Sequence, residues 1–164
     1  MHIKGLIEED FVNYKKPSMV IMFPRCSWKC EKECGKKVCQ NSTLATSPNI
    51  DMSHREIVER YLRNPITSAI VFGGLEPFDS FGDISYMLHI IRHEYKCNDD
   101  IVIYTGYRQE EIARELSMIA EYDNVIVKFG RFVPGQNPHY DEVLGVNLAS
   151  DNQYAQKLTL CSGE

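Results

Sequence analysis

The sequence has no long apolar run. No stretch approaches the roughly 18 consecutive apolar residues of a membrane-spanning helix, and the first ten residues hold three acidic residues instead of the apolar core of a signal peptide. Positive charge is also scarce, since 18 lysines and arginines against 23 acidic residues give a net charge of −5. This balance disfavours nucleic acid or an anionic membrane as a partner. We therefore expect a cytoplasmic protein with neither kind of partner.

Internal repeats, linkers and low-complexity segments are missing as well. We therefore expect one domain, residues 1–164. The composition, 43% hydrophobic and 25% charged, is that of an ordinary soluble globular protein. No pairing suited to general acid–base catalysis is evident among the candidate acidic residues Asp79, Glu110, Glu111 and Asp141.

Short apolar runs alternate with helical patterns along most of the chain. We predict strands at His2–Ile7, Met19–Phe23, Thr67–Phe72, Ile101–Tyr104, Asn124–Phe129 and near Glu142–Asn147, and helices over Ser53–Arg63, Asp83–Tyr95 and Arg108–Ala120. We predict an irregular segment from Asn41 to Met52. The alternation indicates βα units, and so an α/β fold with a mostly parallel sheet covered by helices. Ligands of such sheets bind at the carboxyl ends of the strands.

Cysteine is the residue that stands out. Four of the six cysteines, Cys26, Cys30, Cys34 and Cys39, fall within fourteen residues directly after a predicted strand. Thiols stay reduced in the cytoplasm, so clustered cysteines there indicate metal ligands or redox groups instead of structural disulfides. Cys97 and Cys161 have no partner at metal-ligand spacing and are interpreted as spare thiols.

Two kinds of metal centre fit this loop. Three closely spaced cysteines can hold three irons of a [4Fe–4S] cluster and leave the fourth iron open. The alternative is a structural zinc site made by all four cysteines, although closed zinc sites usually draw their ligands from two separated segments. The residues alone favour iron and sulfur and leave zinc open.

A glycine pair ends the next predicted strand. In Gly73-Gly74-Leu75-Glu76-Pro77, a ligand could lie against bare backbone and be held by main-chain N–H and C=O groups. A Gly-Gly pair alone is more often a tight turn. Its position one βα unit after the cysteine loop favours a ligand site.

Several short motifs occur in an order that resembles the radical S-adenosylmethionine (SAM) superfamily, and most closely the activating proteins of anaerobic ribonucleoside-triphosphate reductase. The resemblance covers the chain from about Met19 to Tyr154. The motifs are Cys26-x3-Cys30 with Cys39-x-Asn41, the Gly73–Pro77 segment, Tyr104-Thr-Gly-Tyr107, Gly130-Arg-Phe-Val133 and Ala149-Ser-Asp-Asn-Gln153.

The cysteine spacing departs from the family pattern of Cys-x3-Cys-x2-Cys. Cys26 and Cys30 keep the first interval, whereas Cys39 with Asn41 resembles the third cysteine after an insertion of six residues. The resemblance therefore implies that Cys26, Cys30 and Cys39 ligate the cluster, with Cys34 as the alternative ligand. Val38 stands where the family commonly has an aromatic residue.

The resemblance also implies a fold, two cofactors and a partner. The fold would be a partial, open (β/α) barrel of mostly parallel strands, holding a [4Fe–4S] cluster and SAM. The Gly73 and Gly74 edge would hold the SAM amino group, Glu76 would order that turn, and Thr105 and Lys128 would contact SAM. The activity would be reductive cleavage of SAM to a 5′-deoxyadenosyl radical, which generates a glycyl radical on the large subunit of an anaerobic ribonucleotide reductase, with a low-potential electron donor. The remaining alternatives are a radical SAM enzyme acting on a peptide or small molecule, and a zinc-stabilised binding module without enzymatic activity.

Overall fold

The computed structural model describes residues 1–160, so Cys161 lies outside the described residues. The strands are β1 (His2–Ile3), β2 (Gly5–Asp10), β3 (Ser18–Phe23), β4 (Ile50–Asp51), β5 (Ala69–Gly74), β6 (Asp100–Tyr104), β7 (Val125–Phe129), β8 (His139–Asp141), β9 (Val146–Leu148) and β10 (Tyr154–Lys157). The α-helices are α1 (Lys29–Cys34), α2 (Ser42–Thr46), α3 (His54–Arg63), α4 (Phe81–His89) and α5 (Ala113–Ile119). Single helical turns of 3₁₀ type lie at Pro77–Ser80 and Gln109–Ile112, and a π-helical turn at Ile90–Glu94 continues α4.

Six strands form the main sheet, in the order β10-β7-β6-β5-β3-β2. The four central strands are parallel, and the two edge strands pair antiparallel with their neighbours. The carboxyl ends of β3, β5, β6 and β7 therefore meet at one edge of the sheet. The predicted α/β class with a mostly parallel sheet is confirmed, while the curvature of a partial barrel stays a prediction.

The two faces of the sheet are covered differently. Helices α3, α4 and α5 pack on one face through buried side chains such as Ile57, Leu88 and Ile119. The opposite face packs on Tyr14, Leu144 and other residues of the loops and of the β8–β9 hairpin. The prediction of a sheet covered by helices therefore holds for one face, because the second layer is made by non-helical segments.

Helix α3 begins and ends where the sequence predicts. Ser53 caps the helix, since its hydroxyl oxygen accepts the Glu56 backbone N–H at 3.1 Å. The helix ends at Arg63, where Asn64 precedes a proline that disfavours helical backbone. None of the helices in residues 1–160 has the length and apolar character needed to cross a membrane.

Several local predictions were wrong. Strand β2 continues through the acidic residues to Asp10, because its partner β3 supplies the ladder despite a register shift after Ile7. The segment 41–52 contains α2 and β4. The strand predicted near Glu142–Asn147 overlaps β9 at Val146 and Asn147, whereas residues 142–145 form the turn of the β8–β9 hairpin, and β10 was missed.

Candidate metal centre

A cavity of about 410 Å³ lies at the carboxyl ends of the parallel strands. The face of the sheet opposite the helices forms its floor, with Val20 and Val71 from the second core cluster in its lining. The cysteine loop forms one wall, and the Gly73–Glu76 segment forms another. This is the position at which open α/β sheets usually bind ligands.

Three of the four clustered cysteines line the cavity, and they are Cys26, Cys30 and Cys39. Cys34 ends α1 and is not among the lining residues. The six extra residues before Cys39 contain the end of this helix, where Gly35 adopts a positive φ of 64° as its C-cap. The helix was missed because the segment was interpreted as a loop.

The two first cysteines of the loop are half-buried, and burial shifts their titration. Burial raises the pKa of Cys26 to about 11, although the backbone N–H of Trp28 donates to its sulfur at 3.3 Å. Burial also raises the pKa of Cys30, against the opposing effects of the Phe132 backbone N–H and the Arg131 charge. A metal bound here must displace the thiol protons, because the thiolate is the ligand.

Glu76 is buried in the centre of the site, with 6% of its surface exposed. One carboxylate oxygen accepts the Thr105 hydroxyl at 2.7 Å and the Phe78 backbone N–H at 3.1 Å, and the other accepts the Gly106 backbone N–H at 2.8 Å. Burial raises the pKa of Glu76 to about 7, while these hydrogen bonds oppose the rise. Glu76 therefore connects the end of β5 to the end of β6.

Gly73 and Gly74 extend β5 beyond its pairing with β6. The β5–β6 ladder ends at the pair Phe72 and Ile103, whereas β5 continues to pair with β3 through Gly74. A Cβ at Gly73 would meet nothing within 4 Å. Gly74 has a φ of +84°, and a Cβ there would lie 2.8 Å from the Met22 Cα. Gly73 thus leaves open space beside bare backbone, and Gly74 permits close packing against β3.

Lys128 lies at the end of β7 and also lines the cavity. Its side chain is 7% exposed, donates to the Gly130 carbonyl at 2.9 Å and lies 5.9 Å from the centre of the Tyr104 ring. Burial lowers the pKa of Lys128 to about 8, and the nearby Glu76 and Cys30 oppose this change. The structure thus places Thr105 and Lys128 at the same cavity as the glycine pair and the three cysteines.

Side chains distant in sequence hold the two ends of the cysteine loop. At its start, Asp79 accepts the Ser27 backbone N–H and the Tyr107 hydroxyl. At its end, Asn41 donates to the Gly74 carbonyl at 2.7 Å. The role of Asp79 was missed because its partners lie 28 and 52 residues away, and no local pattern reports such contacts.

The middle of the loop is held by ion pairs. Arg131, with 3% of its side chain exposed, makes a two-pronged pair with Glu111 at 2.7 and 2.8 Å. Glu111 also lies 3.3 Å from Lys29 in α1. Sequence reasoning placed Arg131 in a family motif but assigned no role to it or to Glu111.

The donor set fits a thiolate-ligated centre. Within residues 1–160, no three His, Cys, Asp or Glu side chains already stand at mutual metal-binding distances. Three thiols nevertheless open on one cavity, and the Nε of Arg131 is a buried donor without a hydrogen-bond acceptor in the described part of the chain. Soft sulfur ligands beside hydrogen-bond donors are the surroundings that iron–sulfur clusters use.

Comparison with known proteins agrees with this donor set. Neither the curated proteins nor the solved structures gave a match to the chain. The sequence model of one protein family, the 4Fe-4S single cluster domain, matches residues 18–164. This range includes the whole cysteine loop and all four parallel strands. With its cysteines at the carboxyl edge of the sheet, the chain belongs to the 4Fe-4S single cluster domain family of iron–sulfur proteins.

Proposed function

We propose that this iron–sulfur protein is a radical SAM enzyme that generates a glycyl radical on the large subunit of an anaerobic ribonucleotide reductase. One observation carries the proposal: a single cavity is lined by Cys26, Cys30 and Cys39 and by the Gly73–Glu76 strand end. A cluster site and a backbone site for an amino-acid-like ligand would therefore adjoin. Such adjacency is what reductive cleavage of SAM requires.

Each wall of the cavity would have a distinct task. Cys26, Cys30 and Cys39 would hold three irons and leave one iron open to the amino and carboxylate groups of SAM. The Gly73 and Gly74 backbone, which extends past the β5–β6 ladder, would accept hydrogen bonds from the SAM amino group. Thr105 and Glu76 would keep the two strand ends at a fixed separation through their 2.7 Å hydrogen bond.

Lys128 would contribute charge at the same cavity. Its buried ammonium group donates to the Gly130 carbonyl and has three hydrogens to donate, so it can bind a further acceptor. We propose that it contacts SAM. The reduced cluster, when bound, supplies the electron that breaks the S–C5′ bond of SAM and yields methionine and a 5′-deoxyadenosyl radical.

The enzyme would act on a macromolecular substrate. At about 410 Å³, the cavity is at the lower end of the range for small-molecule sites, so the cluster and SAM together would occupy most of it. We propose that the partner enzyme presents a backbone glycine at the opening, and that a low-potential electron donor reduces the cluster. A radical SAM enzyme acting on a peptide or small molecule is the alternative within the same chemistry.

The first experiment is anaerobic reconstitution with iron and sulfide, followed by dithionite reduction with SAM. We expect about four irons per chain, as in a [4Fe–4S] cluster, and release of 5′-deoxyadenosine. Iron uptake without deoxyadenosine would leave an iron–sulfur protein and overturn the SAM proposal. Zinc uptake without iron would favour the structural zinc site instead.

Cysteine variants test the ligand assignment in the same assay. Replacing Cys26, Cys30 or Cys39 with alanine should abolish the cluster absorbance, because each removes one of three ligands. The Cys34→Ala variant is the matched control and should retain the iron content of the unmodified protein. If Cys34→Ala loses the cluster and Cys39→Ala retains it, the third ligand is Cys34.

A further inference from the structure

We propose that Arg131 is a positioning residue for the cluster loop, and that its charge, balanced by Glu111, sets the reduction potential of the bound cluster. The inference rests on the proposed ligands Cys26, Cys30 and Cys39, and it deepens that assignment. It concerns two side chains, one of them within a family motif, to which neither the motifs nor the family match gives a role.

Arg131 lies close to Cys30. A Cβ built on Gly106 would lie 3.4 Å from the Cys30 sulfur and 3.7 Å from the Arg131 Cγ, so these two side chains border the same point. The backbone N–H of the next residue, Phe132, lies close enough to the Cys30 sulfur to lower its pKa, against the effect of burial. The segment after β7 therefore lies against the ligand in the middle of the loop.

Ion pairs connect Arg131 to both ends of helix α1. Arg131 binds Glu111 with both terminal nitrogens, and its Nε lies 3.4 Å from Glu33 in α1, an ion contact longer than a hydrogen bond. Glu111 in turn pairs with Lys29 at the start of α1. Helix α1, which carries Cys30 and Cys34, is thereby tied to the sheet edge at both ends.

Burial distinguishes Arg131 from Arg108, the other arginine that contacts Glu33. Arg131 is 3% exposed, and charges in such surroundings are screened weakly. Arg108 also pairs with Glu33, at 3.3 Å, but 58% of its side chain is exposed. Solvent and salt screen an exposed pair of this kind, so Arg108 offers a matched control.

The sign of the electrostatic effect follows from the redox change. Reduction adds one negative charge to the cluster, and a nearby buried cation stabilises the reduced form and raises the potential. Removing the Arg131 charge should therefore lower the potential. Removing the Glu111 charge should raise it, since Arg131 is then less neutralised.

The test is an EPR-monitored redox titration of the reconstituted protein without SAM. We expect a shift to lower potential in Arg131→Gln and a shift to higher potential in Glu111→Gln. Arg131→Lys keeps the charge and should stay near the unmodified protein, although it loses the two-pronged pair. Arg108→Gln should leave the potential unchanged.

Opposite shifts separate an electrostatic role from a merely structural one. If loosening α1 were the whole effect, both variants would break the same ion pair and shift the potential in the same direction. Equal directions, or no shift in either variant, would overturn the proposal. If Arg131→Gln does not bind iron, its potential cannot be measured and Glu111→Gln alone decides. A reduction potential of Glu111→Gln that is unchanged or lower than that of the unmodified protein would then overturn the proposal.

Failure of the inference is distinguishable from failure of the proposed function. An unmodified protein that takes up iron and releases deoxyadenosine, while its variants lack opposed shifts, would refute the role of Arg131 alone. An unmodified protein that binds no iron would refute the cluster site on which the inference rests.

Discussion

Thr105 donates its hydroxyl hydrogen to a carboxylate that is itself buried. Thr105 is 2% exposed and Glu76 is 6% exposed, so neither group can exchange this bond for water. Leaving a buried acceptor short of one donor costs about 1–3 kcal/mol. The pair therefore contributes to stability as well as to the shape of the cavity.

Replacing Thr105 with valine should lower the free energy of unfolding by about 1–3 kcal/mol, because valine keeps the shape but removes the donor to Glu76 and the acceptor of the Tyr107 backbone N–H. Urea unfolding measures the change. Thr105→Ser, which retains a hydroxyl, is the matched control and should lose less. Equal stability of the valine variant and the unmodified protein would show that the hydrogen bonds of the Thr105 hydroxyl contribute nothing.

The cost of Thr105→Val should depend on pH. Burial raises the folded-state pKa of Glu76 from 4.5 to about 7, so between these values the folded protein holds a proton that the unfolded chain has released. The unfolding free energy attributable to Glu76 therefore falls as pH rises from 4.5 to 7. Above pH 7 the hydrogen bond has an ionised acceptor and is stronger. We expect a larger loss at pH 8 than at pH 5.5, and an equal loss would contradict this view.

The end of β5 shows how one element divides its tasks between neighbouring residues. Gly74 needs glycine for the fold, since its φ is +84° and a Cβ would lie 2.9 Å from the Phe23 backbone nitrogen. Gly73 has no such constraint, and a Cβ there enters open space. The two glycines are adjacent, yet the structure predicts different consequences for each.

Gly74→Ala should lower the free energy of unfolding by about 1–3 kcal/mol, the usual cost of a strained backbone conformation. The close contact of the new methyl group with β3 should add to this loss. Gly73→Ala is the matched variant and should unfold like the unmodified protein. Its added methyl group should nevertheless weaken SAM binding, because Gly73 lines the cavity. Thermal unfolding and equilibrium dialysis with SAM measure the two effects. Equal unfolding of both variants would contradict the assignment for Gly74.

The central strands could be predicted from the sequence because strands buried on both faces are continuous apolar runs. The segment 69–72 of β5, for example, is apolar and buried at every position. Strand β10 could not be predicted in this way, because only Ala155 is buried and its neighbours in the strand are exposed, so the segment is not a continuous apolar run. It forms because β7 offers an unpaired edge, with Tyr154 opposite Phe129.

The residues of the candidate site likewise fall into those that the sequence predicts and those that it does not. Cysteines and glycines form local motifs, so their place at the strand ends could be predicted from spacing. Arg131 and Glu111 are 20 residues apart and Lys29 and Glu111 are 82 residues apart, and only the sheet order brings them together. Pairs of ordinary charged residues carry no local signal that separates them from solvated surface charges.

At the scale of the whole molecule, the two faces of the sheet have unequal cover. Helices shield one face, whereas the other is covered near the cavity by the segment that includes β8 and β9. Leu144, in the turn of this hairpin, is fully buried, and its carbonyl accepts the Lys15 backbone N–H at 2.8 Å. The hairpin thus connects the second core cluster to the loop that precedes β3.

Leu144→Ala should therefore lower the unfolding free energy of the whole protein by about 2–5 kcal/mol, the usual cost of truncating a buried leucine. Leu62→Ala is the matched control, since Leu62 lies on α3 with 44% of its surface exposed and should lose little. Because the hairpin residues pack directly on the central strands, we expect one cooperative transition by circular dichroism and by tyrosine fluorescence. Two separate transitions would instead show that the hairpin opens by itself, and that the cavity wall it forms, around Val146 and Leu148, is less stable than the sheet.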